Sequence, residues 1–175
     1  PFENGLAIFK SPKGYGMMKR TGGILLQPVF RKILFENSFI LTLDGNNNWS
    51  LRDTTGLLKT SKPYDIILKE HKGLFAAMRK NHWGAIDEMG REIVACVYDS
   101  VLQTGEDQLA VKFKGLFGII NTQEQWLVYP QPHRVTLLNK DRYFKKVSKT
   151  LFLLSFDGTI LYFTDNPITV NKSTF

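Results

Sequence analysis

An aromatic residue followed by a small one recurs along the chain at a fixed interval: Tyr15-Gly16, Trp49-Ser50, Trp83-Gly84 and Phe117-Gly118, each pair 34 residues after the last. The next step falls on Leu151-Phe152, where the small residue is lost but the apolar character holds. Two residues beyond the aromatic the position is always apolar (Met17, Leu51, Ala85, Ile119, Leu153), and seven beyond it stand Gly22, Gly56, Gly90, Glu124 and Gly158. An upstream column reads Ala7, Leu41, Phe75, Leu109 and Tyr143. Four columns in one ungapped register define five tandem units, about 4–36, 37–70, 71–104, 105–138 and 139–172.

The two-residue step from the aromatic to the apolar column is the strand period, and the units lack the sustained three-and-four spacing of helical repeats. Turn clusters divide the strands. Asp53-Thr54-Thr55-Gly56 and Asp87-Glu88-Met89-Gly90 place Asp first, where its carboxylate can cap the turn, and Gly last, where positive φ is tolerated. A second turn precedes each aromatic (Lys13-Gly14, Asn47-Asn48, Lys80-Asn81, Lys114-Gly115), and polar stretches such as Glu70-His71-Lys72 and Thr104-Gly105-Glu106 open the next unit. The third unit therefore reads as strands near 74–79, 83–87, 91–94 and 98–102. Such a meander cannot bury its apolar face alone. The predicted fold is all-β: five tandem 34-residue antiparallel β-meander repeats stacked in an open spiral array, with a small closed β-propeller as the alternative. The small column (Gly16, Ser50, Gly84, Gly118), with Thr42, Ala76 and Ala110 across the hairpin, predicts a closely approached face. Phe144 and Phe152 fill both positions in the last unit, which is expected to meet a different neighbour.

The third unit carries a family resemblance. His82-Trp83-Gly84-Ala85-Ile86-Asp87, then Gly90, Ile93-Val94 and Tyr98-Asp99, resembles the bacterial WG (KWG) repeat. The fourth unit is similar through Lys114-Gly115-Leu116-Phe117-Gly118-Ile119-Ile120-Asn121 and Pro130, the second through Trp49, Asp53, Gly56 and Tyr64-Asp65, and the first through Tyr15-Gly16, Gly22, Pro28 and Phe30. Departures gather toward the end, where Glu124 takes the turn glycine position and Pro132-His133 takes that of Tyr-Asp. The resemblance implies a bacterial origin and an interaction module attached to other domains of a parent protein. It supplies no catalytic residues and no cofactor.

Composition narrows the classes. An apolar share of 43% and an aromatic share of 13% in 175 residues argue against disorder. No apolar run reaches the roughly 18 residues of a membrane helix. The chain opens on Pro1 without a signal-peptide pattern and reads as a piece of a longer protein. The single cysteine, Cys96, excludes an internal disulfide and fits a reducing, cytoplasmic compartment.

The candidate chemistry mostly dissolves into the repeat. His71, His82 and His133 read as turn histidines without metal-ligand spacing. Cys96 sits in an apolar stretch and reads as a packed residue rather than a nucleophile. Asp53 and Asp87 read as turn formers, Trp49 and Trp83 as core, and Trp126, off the aromatic column, as an exposed ring. Net charge is the exception. The five-residue windows before the aromatic column hold Lys10, Lys13, Arg79, Lys80, Lys112, Lys114, Lys146 and Lys149 against Asp44 alone, which accounts for the whole formal charge of +7. Stacked units would align these residues as a basic edge able to meet a polyanion such as nucleic acid or an acidic glycan. Solvated turn lysines that discourage strand-edge pairing give the same pattern. The leading expectation is a non-enzymatic scaffold for a protein partner or for other domains of the parent chain, with polyanion binding as the alternative.

Overall fold

A computed structural model describes residues 1–36, 38–69, 73–103 and 107–165. Every regular element in it is a β-strand, arranged as five antiparallel sheets in chain order, and none of the sheets closes on itself. The first contains β1 (Leu6–Ser11), β2 (Gly14–Lys19) and β3 (Ile24–Phe30), and the second β4 (Lys32–Glu36), β5 (Phe39–Leu43) and β6 (Trp49–Asp53). The third contains β7 (Ile66–Lys69), β8 (Leu74–Arg79), β9 (His82–Asp87) and β10 (Glu92–Tyr98). The fourth contains β11 (Ser100–Gln103), β12 (Gln108–Phe113), β13 (Leu116–Asn121) and β14 (Trp126–Gln131), and the fifth β15 (Val135–Leu137), β16 (Arg142–Val147), β17 (Thr150–Ser155) and β18 (Ile160–Thr164). The chain divides into two compact units, one of Pro1–Tyr98 and one that begins at Asp99.

The sheets are offset from the sequence units. The extended segment expected to close each unit instead pairs with the first hairpin strand of the next: β11 pairs with β12, and β7 with β8. This follows from packing, because β4, β7 and β15 each place an apolar residue over the preceding sheet. In the first unit, Ile33 and Ile40 of the second sheet join Leu6, Met17 and Leu26 of the first. Ile67, Phe75, Ala77 and Ile86 of the third sheet then join Leu41 and Leu51 of the second and Tyr64, which bridges to Trp49 from the connection between the two. In the second unit, Val135, Leu137, Tyr143 and Leu154 join Ile119 and Val128. Each core thus belongs to two consecutive sheets, the packing expected of repeats that cannot bury a face alone. The column two residues beyond the aromatic lies deepest, with Met17, Leu51 and Ile119 at 0% exposure. The aromatics Tyr15, Trp49 and Phe117 pack against these cores but stay half-buried.

The upstream column needs one correction. Ala76 pairs with Ala85 and Ala110 with Ile119, but in the second sheet Leu41 pairs with Leu51. Ile40, not Leu41, is therefore the structural counterpart of Phe75 and Leu109. The cause is the longer β5–β6 connection at Asp44–Asn48, whose Asn47 has φ 65°. β5 starts one residue early, and the longer loop restores the 34-residue spacing at Trp49.

Gly16, Gly84 and Gly118 are closely approached as expected, by the bulged last strand of their own sheets, but of the small residues across the hairpin only Thr42 shares this face, opposite Ser50: Ala76 and Ala110 stand opposite Ala85 and Ile119, on the other side. The β9–β10 ladder shifts register on both sides of Val94, and a Cβ on Gly84 would overlap the Val94 carbonyl oxygen and lie 2.7 Å from the Ala95 carbonyl carbon. Bulges crowd a partner strand in this way. In the fifth sheet the ladder runs unshifted from Leu151↔Thr164 through Leu153↔Tyr162, and Phe152 occupies the position, with ring centroids 6.1 Å from Phe163. Phe152 packs toward the fourth sheet. Phe144 pairs with Leu153, the next residue along β17, so it lies on the opposite face. The two phenylalanines therefore face opposite sides of the fifth sheet.

Candidate functional site

The hairpin turns put the basic residues where the windows predict. Lys10 and Lys13 flank the β1–β2 turn, and Arg79 and Lys80 the β8–β9 turn, all in the first unit. Lys112 and Lys114 flank the β12–β13 turn, and Lys146 and Lys149 the β16–β17 turn, in the second. Lys80 and Lys114 have φ of 52° and 50°, so these lysines are part of the tight turns themselves. The aromatic column lies beneath some of the cations: Lys10 sits 5.6 Å from the Tyr15 ring centroid and Lys112 5.6 Å from that of Phe117, each pair being opposite neighbours in a ladder. Lys114 sits 5.2 Å from the Phe113 ring.

Arg79 is set apart from the other seven. Its guanidinium lies 3.0 Å from Glu92 Oε2, donates from Nη2 to Oε1 at 3.2 Å and stacks 5.6 Å from the Tyr64 ring. Glu92 also accepts from the Tyr64 hydroxyl at 3.3 Å and from the Cys96 backbone N–H at 3.4 Å, and meets Lys62 at 3.7 Å. The β10 bulge leaves the Cys96 N–H turned toward this carboxylate. Burial opposes the charge of Glu92, but Arg79, the Cys96 N–H and Lys62 together outweigh it and the carboxyl is held below its ordinary value. Burial first, and then the Glu92 charge, push the Tyr64 hydroxyl up to about 12. Arg79 is committed inside the fold, so the free basic residues of this turn reduce to Lys80. Nothing in the repeat columns marked Glu92, whose role arises from the bulge.

The remaining candidates resolve as follows. Asp53 Oδ1 accepts from the Thr55 and Leu57 N–H groups at 2.9 and 3.0 Å, and Asp87 Oδ1 from Met89 and Arg91, each at 2.9 Å. Both are turn caps. The Cys96 thiol is half-buried, donates to the Ala77 carbonyl at 3.5 Å and is pushed up by burial and by Glu92, which leaves it poorly nucleophilic. His82 is exposed and rests its Nδ1 2.9 Å from the Lys80 carbonyl oxygen, while His71 lies outside the described residues. Trp126 is half-buried, so it is not the open platform expected of it. Its ring fills the space a Cβ on Gly118 would need, with Cζ3 2.6 Å from that point. Among the described residues no group of His, Cys, Asp and Glu is arranged to hold a metal ion, and no helix is long and apolar enough to cross a membrane.

Residues 83–115 match the WG containing repeat family. No curated protein sequence matches the chain. Similar solved structures include the computationally designed Ika8 protein, at 15% identity and a TM-score of 0.48 over 95% of this chain and 61% of that one. A Kluyveromyces lactis Hsv2 whose loop 6CD is replaced by a Gly-Ser linker gives 11% and 0.48 over 91% and 62%. BamB from Moraxella catarrhalis gives 12% and 0.42 over 94% and 59%. The chain spans roughly three fifths of the length of these structures.

Proposed function

We propose that this chain, with a WG-type repeat at residues 83–115 and neighbouring sheets built on the same plan, is a non-enzymatic scaffold that mediates protein–protein interaction within a larger bacterial protein. The observation that carries the reading is the sharing of each core between consecutive sheets, which leaves hairpin tips and outer strands as the presented surface. The side chains that suggested chemistry have structural work: Asp53 and Asp87 cap turns, and Cys96 packs beside the second and third sheets' core. Reconstitution tests the proposal. A protein captured from bacterial extract, purified and returned to the chain, is expected to form a complex of fixed stoichiometry. Failure of every captured protein to do so would sink the scaffold reading.

Polyanion binding is the second reading, supported by the position of Lys112, Lys114, Lys146 and Lys149 on the two hairpins of the second unit. Heparin retention should then fall steeply with salt, and charge reversal at Lys112 and Lys114 should shorten it. Salt-insensitive retention would exclude this reading.

A further inference from the structure

Between the fourth and fifth sheets, within the second unit, lies an open cleft of about 250 Å³. Leu102, Ala110, Phe117 and Val135 form its apolar part, Lys112 and Arg134 stand on it as cations, and Ser100 and Thr136 add hydroxyls. The ladders explain why it is open. Ala110, opposite Ile119, holds the place that Leu41, opposite Leu51, holds in the second sheet. Likewise Lys112, opposite Phe117, stands where the second sheet has Leu43 opposite Trp49. Two leucine side chains are thus replaced by a methyl group and a lysine whose ammonium sits over the Phe117 ring.

We propose that this cleft seats a short acidic segment of a protein partner, with one aliphatic side chain on the Ala110–Phe117 floor and the adjacent carboxylate between Lys112 and Arg134. The proposal rests on the scaffold reading and names the partner's chemistry. Charge complementarity is its first support: neither Lys112 nor Arg134 forms an ion pair among the described residues, and Lys112 is held over the Phe117 ring beside the floor. Size is the second. The volume falls below the about 300–1,000 Å³ usual for small-molecule sites and suits one large side chain. Topology is the third, since β11 and β15 are the outermost strands of their sheets and a peptide backbone can align along such an edge. A nucleic-acid backbone would satisfy the cations and leave the apolar floor unfilled.

The test titrates the 175-residue chain with N-acetyl-Ala-Leu-Asp-Ala-amide and follows backbone and methyl NMR shifts. Saturable shifts at Ser100, Ala110 and Thr136 are expected, with about tenfold weaker binding for the Asn version of the peptide and for a Lys112→Glu, Arg134→Glu variant. Ala110→Leu, which fills the cleft as Leu41 does in the second sheet, should abolish the shifts while the rest of the spectrum stays folded. Equal binding by the Ala110→Leu variant, shifts confined to other residues, or tighter binding of octanoate or an oligothymidylate than of the Asp peptide would each overturn the proposal. A reconstituted partner complex that survives Ala110→Leu would overturn it while leaving the scaffold reading intact. Peptide binding at the cleft with no reconstitutable partner would do the reverse.

Discussion

Gly84 lies so close under the bulged strand β10 that a Cβ there would overlap the carbonyl oxygen of Val94. The contact is with backbone, so no rotamer change relieves it. Gly84→Ala should destabilise the chain by about 1–3 kcal/mol, the usual cost of overpacking a tight site. Urea denaturation followed by Trp fluorescence measures it. A variant as stable as the parent would show that β10 can move away.

Glu92 joins four groups, and its neutral isostere isolates the charge. Glu92→Gln leaves the half-buried Arg79 without its carboxylate, at a cost of about 1–3 kcal/mol. Removal of the Glu92 charge also eases ionisation of Tyr64. Its pKa should fall from about 12 yet stay above its ordinary 10.0, because burial is the larger cause. An NMR titration with ring-labelled tyrosine resolves this. An unchanged Tyr64 pKa would mean that the charge does not reach the ring. In the parent, the raised pKa means that the contribution of Tyr64 to stability is whole below pH 10.0 and fades as pH rises toward about 12.

Asp53 works in the opposite direction. The Thr55 hydroxyl at 2.6 Å, then Lys59 at 2.9 Å, and the turn N–H groups hold its carboxyl at about 2, below its ordinary 3.8. The unfolded chain therefore takes up the proton first. The carboxylate's contribution is whole above pH 3.8 and is lost as pH falls toward about 2. Asp53→Asn should flatten this part of the pH–stability curve. An Asp53 carboxyl resonance that titrates at its ordinary value would disprove the capped turn.

The sequence carried the strands and most of the pairing. The 34-residue columns located β8 and β9 to within a residue, because a cross-strand partner is set by a short turn between adjacent segments. Two features escaped for the same physical reason, non-local packing. One was the transfer of β4, β7 and β15 to the following sheets, although Ile33, Ile67 and Val135 share one place in the 34-residue register and signal an apolar column facing a neighbouring sheet. The other was the one-residue slip at Leu41, concealed because an extra loop residue cancels an early strand start. Of the candidate site, the turn positions of the lysines were legible. The capture of Arg79 by Glu92 was not, since it depends on a bulge, and Arg134 lay outside the windows that defined the basic edge.

Glu124 and Gly90 occupy the same turn position in successive units and give a paired prediction. Glu124 has φ 60° and Gly90 has φ 74°, and both N–H groups donate back to the first residue of the turn, Glu124 to Asn121 at 3.0 Å and Gly90 to Asp87 at 2.9 Å. Asn121 caps its turn through the Gln123 and Gln125 N–H groups at 3.0 and 2.8 Å, as Asp87 does, so the geometry survives the loss of glycine. A non-glycine residue in left-handed conformation carries about 1–2 kcal/mol of strain, offset in part by the entropy glycine loses on folding. Glu124→Gly relieves that strain, so it should change stability less than Gly90→Ala does. Gly90→Ala must accept the same strain and also displace the Lys59 carbonyl, which a Cβ would overlap, so its loss should exceed about 2 kcal/mol. Denaturant midpoints of the two variants decide the matter. A Glu124→Gly variant that loses as much as Gly90→Ala would show that neither the left-handed strain nor the Lys59 overlap sets the cost of this turn.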